Sequence, residues 1–193
     1  MSQAAVHEIA DRPERLFTRE DYHAMLKAGI LNEDDRVELI DGKIIAMMPI
    51  GPWHASASTR LNHVLNKLYG ENALVAAGNP VGMGDRSEPQ PDITVLRYRR
   101  DFYATAHPEP KDVVLVVEIS DSTLNYDLTK KRNLYATHGV SEFWVVDGQR
   151  HCVHVFRGPV NGTYTESQVL HPGDSLPLPA CEGASIPVSE TGV

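Results

Sequence analysis

The sequence is short of most features that would assign it quickly. Only two cysteines occur in 193 residues, Cys152 and Cys181, and neither sits in a Cys-x-x-Cys pair. They cannot build a disulfide framework, so a reduced, cytoplasmic protein is the expectation. The densest apolar runs, Ile44–Ile50 and Val113–Val117, fall far below the ~18 residues that span a bilayer, so no membrane partner is expected. The opening stretch, MSQAAVHEIADRPERLF, lacks the apolar centre of a secretory signal. There is no internal repeat, no low-complexity tract, no Gly-x-Ser-x-Gly and no zinc-type Cys/His spacing. Gly82-Met83-Gly84 lacks the third glycine of a dinucleotide loop. His151 and His154, three apart on a strand, face opposite ways.

Positive charge is short as well. Lys and Arg number 18 against 26 Asp and Glu, a formal charge of −8, which excludes bulk electrostatic binding of nucleic acid. The deficit is confined to the flanks. Residues 1–43 hold six bases and ten acids, residues 158–193 hold four acids and no base, and residues 44–157 hold twelve of each. A local, metal-bridged phosphate site in the neutral middle therefore remains open, with Arg97, Arg99, Arg100, Lys130, Lys131 and Arg132 in the same stretch.

At 41% hydrophobic and 23% charged residues the composition is globular, and the length suits one ordinary domain. Thr18 caps a short helix with Asp21 at its third position, Tyr22, Met25 and Leu26 on its apolar side, and Gly29 at its end. Arg36–Met48 reads as a hairpin, because Asp41-Gly42 is the dipeptide a type I′ turn requires. Strand alternation sets Glu38 on the same face as Ile40, an odd place for a solvated acid. His54–Tyr69 is a helix with Leu61, Val64, Leu65 and Leu68 on one stripe. Strands are expected at Leu74–Ala76, Pro80–Met83, Pro91–Leu96, Val113–Ile119 and Phe143–Val146. Cys152–Phe156 and Tyr164–Val169 should be more exposed antiparallel strands. A helix from about Asp127 to His138 follows the loop Ser120–Tyr126.

Two acids sit where apolar strands want none: Asp92 at the start of one and Glu118 near the end of the next. A buried carboxylate costs several kcal/mol unless paired, protonated or metal-bound. With Glu38 they make three hard oxygen donors, the kind Mg²⁺ takes alongside water and phosphate. Lys131 shares a helix face with Leu128 and Tyr135 and points to the sheet, whereas Lys130 faces solvent. Plainer readings stand beside these. Asp92 could be satisfied by backbone donors, Glu118 by a basic partner, Glu38 by a hairpin ion pair, and Lys131 could lie along the apolar face.

The ordered set Glu38-Leu39-Ile40-Asp41-Gly42-Lys43-Ile44, His54, Gln90-Pro91-Asp92, Val117-Glu118-Ile119-Ser120, Tyr126-Asp127, Lys131, Leu134-Tyr135 and Gly139–Asp147 resembles the Uma-two family of proposed endonucleases. That family belongs to the PD-(D/E)xK restriction-endonuclease-like superfamily. The resemblance runs from about Thr18 to Leu178. It implies an α/β fold: a restriction-endonuclease-like mixed β-sheet core flanked by α-helices, with additional antiparallel strands. It also implies Mg²⁺, with Mn²⁺ as a substitute, held by Asp92 and Glu118, and hydrolysis of DNA. Lys131 and Glu38 complete the catalytic set, and His54, Gln90 and Ser120 are substrate-side candidates. Relatives with these motifs are often homodimers, and the strands near Val153 and Thr165 are where two copies would pair. One departure stands out: Glu118-Ile119-Ser120 lacks the strand lysine of the wider superfamily, so Lys131 on the next helix takes its place. The expected organisation is a flexible segment at 1–17, one endonuclease-like domain at 18–178 and a wrapping tail at 179–193. The rival reading is a non-catalytic nucleic-acid or protein interaction module on the same fold.

Overall fold

A computed structural model describes residues 14–32 and 34–193. Most of the segment expected at 1–17 lies outside the described residues. From Leu16 the chain runs against the hairpin β1 (Val37–Ile40) and β2 (Lys43–Ala46), where the Phe17 N–H donates to the Gly42 carbonyl at 2.8 Å. Asp41 and Gly42 both have positive φ, as the type I′ turn demands. A Cβ on Gly42 would lie 2.6 Å from that of Leu16, so the approach of these segments requires glycine. Helix α1 (Arg19–Lys27) opens on the expected capping box between Thr18 and Asp21. Only Tyr22 of α1 is buried, and Leu26 is exposed, contrary to the expected stripe.

The core is a six-stranded sheet in the order β3 (Ala73–Ala77), β4 (Ile93–Arg97), β5 (Val113–Ser120), β6 (Glu142–Asp147), β7 (Cys152–Val160) and β8 (Thr163–Leu170). Every neighbouring pair is antiparallel except β5 and β6. That parallel step needs a crossover, supplied by a helical run of α3 (Leu124–Tyr126), a wide π turn at Asp127–Lys131, and α4 (Arg132–Thr137). The run starts three residues before the expected Asp127, and its middle is not regular α-helix.

Alternate residues of the sheet feed two cores. Leu115, Val117 and Ile119 of β5 join Ile93, Trp144 and Val146, and pack on Ala57, Leu61 and Leu65 of α2 (Pro52–Tyr69). On the other face Val116 joins Leu134, Tyr135, Phe143 and Val145. Leu68 is exposed because the last turn of α2 is covered on another side, where the Tyr69 hydroxyl donates to the Pro179 carbonyl at 2.8 Å.

Two further expectations are corrected. Pro80–Met83 is not a strand: Val81 and Met83 are buried, but their N–H groups go to Pro89 and Ser87 in neighbouring loops. The first half of β7 is buried, not exposed; Val153 lies inside the sheet between β6 and β8, so of these two strands it is β8 that stands at a sheet edge. A small second sheet pairs β9 (Ser175–Pro177) with β10 (Ser185–Pro187). Towards the end of the chain Ile186 and Val188 are buried, and the Trp53 Nε1–H of α2 donates to the Gly192 carbonyl at 3.0 Å. Among the described residues no helix is long and apolar enough to cross a membrane.

Candidate functional site

The register of β4 against β5 pairs Ile93 with Val117, and one step further sets Asp92 across from Glu118. The Ile119 N–H donates to Asp92 Oδ2 at 2.7 Å, which locks the aspartate beside the glutamate strand. Its other oxygen, Oδ1, lies 3.1 Å from His54 Nε2 in the first turn of α2. That contact raises the His54 pKa despite its burial. The remaining ring nitrogen, Nδ1, is buried without a partner among the described residues.

Glu118 is buried, and its Oε1 accepts from Lys131 Nζ at 3.0 Å and from the Tyr135 hydroxyl at 2.7 Å. Lys131 Nζ also lies 3.2 Å from Glu38 Oε2, which in turn accepts from the Gln90 backbone N–H at 3.1 Å. Asp127, at the start of the π turn, accepts at Oδ2 from Ser120 Oγ at 2.7 Å and Thr123 Oγ1 at 2.6 Å. The π turn thus holds one buried acid at its start and one buried lysine at its end, a use of this rare geometry often met at functional positions.

The electrostatics follow from burial and charge count. Burial pushes Glu118 up to about 8, against the pull of Lys131 and with Asp92, Asp127 and Glu38 adding to the rise. Burial alone would lower Lys131, but Glu118, Glu38 and Asp127 outweigh it, and its net shift is upward. Lys131 is therefore a fixed cation and not a base at neutral pH. Tyr135 is held protonated first by burial and then by the Glu118 charge.

These groups line a cleft of about 350 Å³. Glu38, His54, Gln90, Asp92, Glu118 and Lys131 form its polar side, while Ile45, Met47, Met48, Pro49 and Ile50 form an apolar side leading from β2 to α2. All four residues expected to be catalytic, Asp92, Glu118, Lys131 and Glu38, meet here, as do His54 and Gln90. Ser120 does not reach the cleft; its hydroxyl is fully buried on Asp127, where it holds the loop. Arg97, Arg99 and Arg100 stand at the far end of β4 from Asp92, where Arg99 pairs with Asp101.

The spacing argument did not single out Asp127 and Tyr135, although the Tyr126-Asp127 and Leu134-Tyr135 pairs carried the family pattern. Tyr135 lies four residues after Lys131, one helical turn, so it meets the same acid. The apolar wall left no signal, because nothing local says that a Met-Met-Pro-Ile run faces a cleft.

A family model described as "Putative restriction endonuclease", Uma2, matches residues 19–189. The chain belongs to the Uma2 family. No curated protein matches this Uma2 chain. It is similar to a solved structure described as a putative nuclease belonging to DUF820, from Anabaena variabilis. The TM-score is 0.73 at 22% identity, over 91% of this chain and 97% of that one. It is also similar to the type IIG restriction endonuclease BpuSI, at 15% identity and a TM-score of 0.41, over 79% of this chain and 17% of that one. The first likeness establishes the fold, and the restriction-endonuclease-like mixed sheet expected for a Uma2 protein is the one observed.

Proposed function

We propose that this Uma2 protein is a Mg²⁺-dependent endonuclease that hydrolyses phosphodiester bonds of DNA, with Mn²⁺ able to substitute. The observation that carries the reading is Glu118. It is an acid closed into an aliphatic strand, raised by burial, across from Asp92 and sharing one lysine with Glu38. Glu38, Asp92, Glu118, Asp121 and Asp127 outnumber the two cations that line this cleft, Arg36 and Lys131. A hard divalent ion suits that excess and these oxygen donors. Among the described residues no third His, Cys, Asp or Glu forms a compact ligand group with Asp92 and Glu118. Two carboxylates completed by water and phosphate oxygens are what Mg²⁺ accepts.

When bound by Asp92 and Glu118, the ion supplies charge to the phosphate and acidity to water. The chain does the rest. The Ile119 N–H and His54 aim Asp92. Tyr135 fixes Glu118, and Glu38 keeps Lys131 extended into the cleft. Lys131, protonated throughout, donates hydrogen bonds to the attacking water or to phosphate oxygens as charge develops on them. His54 and Gln90 stand on the wall where a substrate would lie.

The test is cleavage of single-stranded, duplex and branched DNA by the purified protein with Mg²⁺ or Mn²⁺. Cleavage that disappears in Asp92→Asn and Glu118→Gln is expected; no cleavage of any substrate with either ion overturns the reading. Cleavage confined to small phosphate esters would move the activity to another substrate class. One observation favours the rival, non-catalytic reading: Lys131 ties both Glu38 and Glu118, as a purely structural ion-pair network would. Calorimetric Mn²⁺ binding that vanishes in Asp92→Asn speaks against that rival.

A further inference from the structure

The hairpin of β6 and β7 carries a second chemical set that the cleft does not use. Its register pairs Asp147 with Cys152 and Val145 with His154. Residues two apart on a strand share a face, so Asp147, Cys152 and His154 project from the same side. Cys152 Sγ lies 3.7 Å from His154 Nε2, and that nitrogen lies 3.5 Å from Asp147 Oδ2. All three ligand atoms fall within 4.8 Å of one another. The nitrogen–oxygen spacing is long for a hydrogen bond. Tetrahedral geometry at ordinary zinc–ligand lengths places sulfur about 3.6 Å from nitrogen and nitrogen about 3.4 Å from oxygen. Two of the three edges already stand close to those lengths, and sulfur and oxygen lie within 4.8 Å of each other.

We propose that Asp147, Cys152 and His154 form a binding site for a borderline-soft divalent transition metal of the zinc class, separate from the carboxylates of the cleft. The surroundings support three ligands and an open fourth position. Asp147 is buried, and its Oδ1 accepts from the backbone N–H groups of Gln149 at 3.0 Å and Arg150 at 2.9 Å. That leaves Oδ2 for the ion, with its orientation fixed by its neighbours. Arg150 Nη1 approaches Oδ2 at 3.2 Å, but its side chain is 65% exposed and turns readily to solvent. Cys152 is buried, and burial raises its thiol. Binding exchanges the thiol proton for the ion, with one proton released to solvent per ion bound. His154 is 16% exposed, the most open of the three, which gives an entry path, and water would take the fourth position. The other His/carboxylate group, His23, Glu88 and His107, is less prepared, because Glu88 pairs at 2.9 Å with Arg19, which is only 23% exposed and is also held by Glu109. An ion on β6 and β7 would brace the turn that touches the cleft loop, where Gly148 N–H donates to the Ser120 carbonyl and Gln149 Nε2 to that of Asp121.

The full chain titrated with Co²⁺ should develop a sulfur-to-cobalt charge-transfer band in the near ultraviolet that saturates at one sulfur-bound ion per chain and is bleached by Zn²⁺. Cys152→Ser and His154→Gln should each remove the band, and Asp92→Asn and Glu118→Gln should keep it. The site is overturned if the unmodified chain shows no band, or if the band survives in Cys152→Ser, which would assign it to Cys181. Should Cys152→Ser lose its fold by circular dichroism, His154→Gln decides alone, and a band of undiminished strength there overturns the site. Absence of DNA cleavage leaves these outcomes untouched, so the two proposals fail separately.

Discussion

The two faces of β5 use the same backbone for opposite purposes. Leu115, Val117 and Ile119 meet α2 in an all-apolar layer. On the reverse face Val116 is followed by Glu118 and Ser120, and the helical crossover answers with Lys131, Tyr135 and Asp127. Every residue of β5 is buried. Burial therefore does not distinguish the faces; what differs is whether a buried group finds a polar partner. On the first face stability comes from area removed from water. On the second it depends on a closed set of charges, which stabilises little but is costly to open.

Removing charge from the polar face should have the largest effect. Asp92→Asn or Glu118→Gln should lower cation-dependent cleavage by roughly 10²–10³-fold or more, the scale on which one preorganised electrostatic contact acts, while circular dichroism stays unchanged. Lys131→Met leaves Glu38 and Glu118 buried without a cation and should cost about 3–5 kcal/mol in urea unfolding. Adding Glu118→Gln should restore part of that loss. On the apolar face Leu61→Ala should cost about 2–5 kcal/mol through a cavity alone, with no recovery from any charge change; a recovery would erase the contrast between the faces.

Acid sharpens the comparison further. Burial alone would raise Asp147, but hydrogen bonds from Arg150, His154 and Gln149 hold it below its ordinary 3.8. The stability it supplies is complete above that value and is lost as pH falls through the lower folded value. Asp147→Asn should therefore flatten the acid limb of a melting-temperature profile, whereas Leu61→Ala should shift the whole profile down. The smallest effect is expected away from β5: Thr18→Ala removes half of the α1 capping box and should cost about 1 kcal/mol.

Much of this arrangement was legible in the residues. Asp41-Gly42 named its own turn, because few residues other than glycine tolerate those φ values. Asp92 and Glu118 declared themselves as acids in aliphatic strands, a local contradiction that needs no knowledge of the fold. Lys131 was placed by helical phase relative to Tyr135. Phase failed where cover was not local. Leu26 and Leu68 sit at or near their expected stripes, yet more than a third of each stays exposed. Pro80–Met83 has the apolarity of a strand, but its backbone partners are loops. His151 was expected on a strand with His154 but lies in the turn before β7 with positive φ, so parity does not apply to it; within β7 parity places Cys152 beside His154. Their Asp147 partner emerges only from the hairpin register.

The sequence by itself determined the six strands of the main sheet, the Asp41-Gly42 turn and the charges that cannot be left buried alone, because each follows from a residue and its near neighbours. Tertiary structure decided which charges meet. Glu38, Glu118 and Lys131 come from three separate elements. Only the packing of the hairpin and the crossover helix on the open end of β5 brings them within hydrogen-bond range. Distance along the chain carries no information about that packing, whereas the energetic penalty of an unpaired buried charge does.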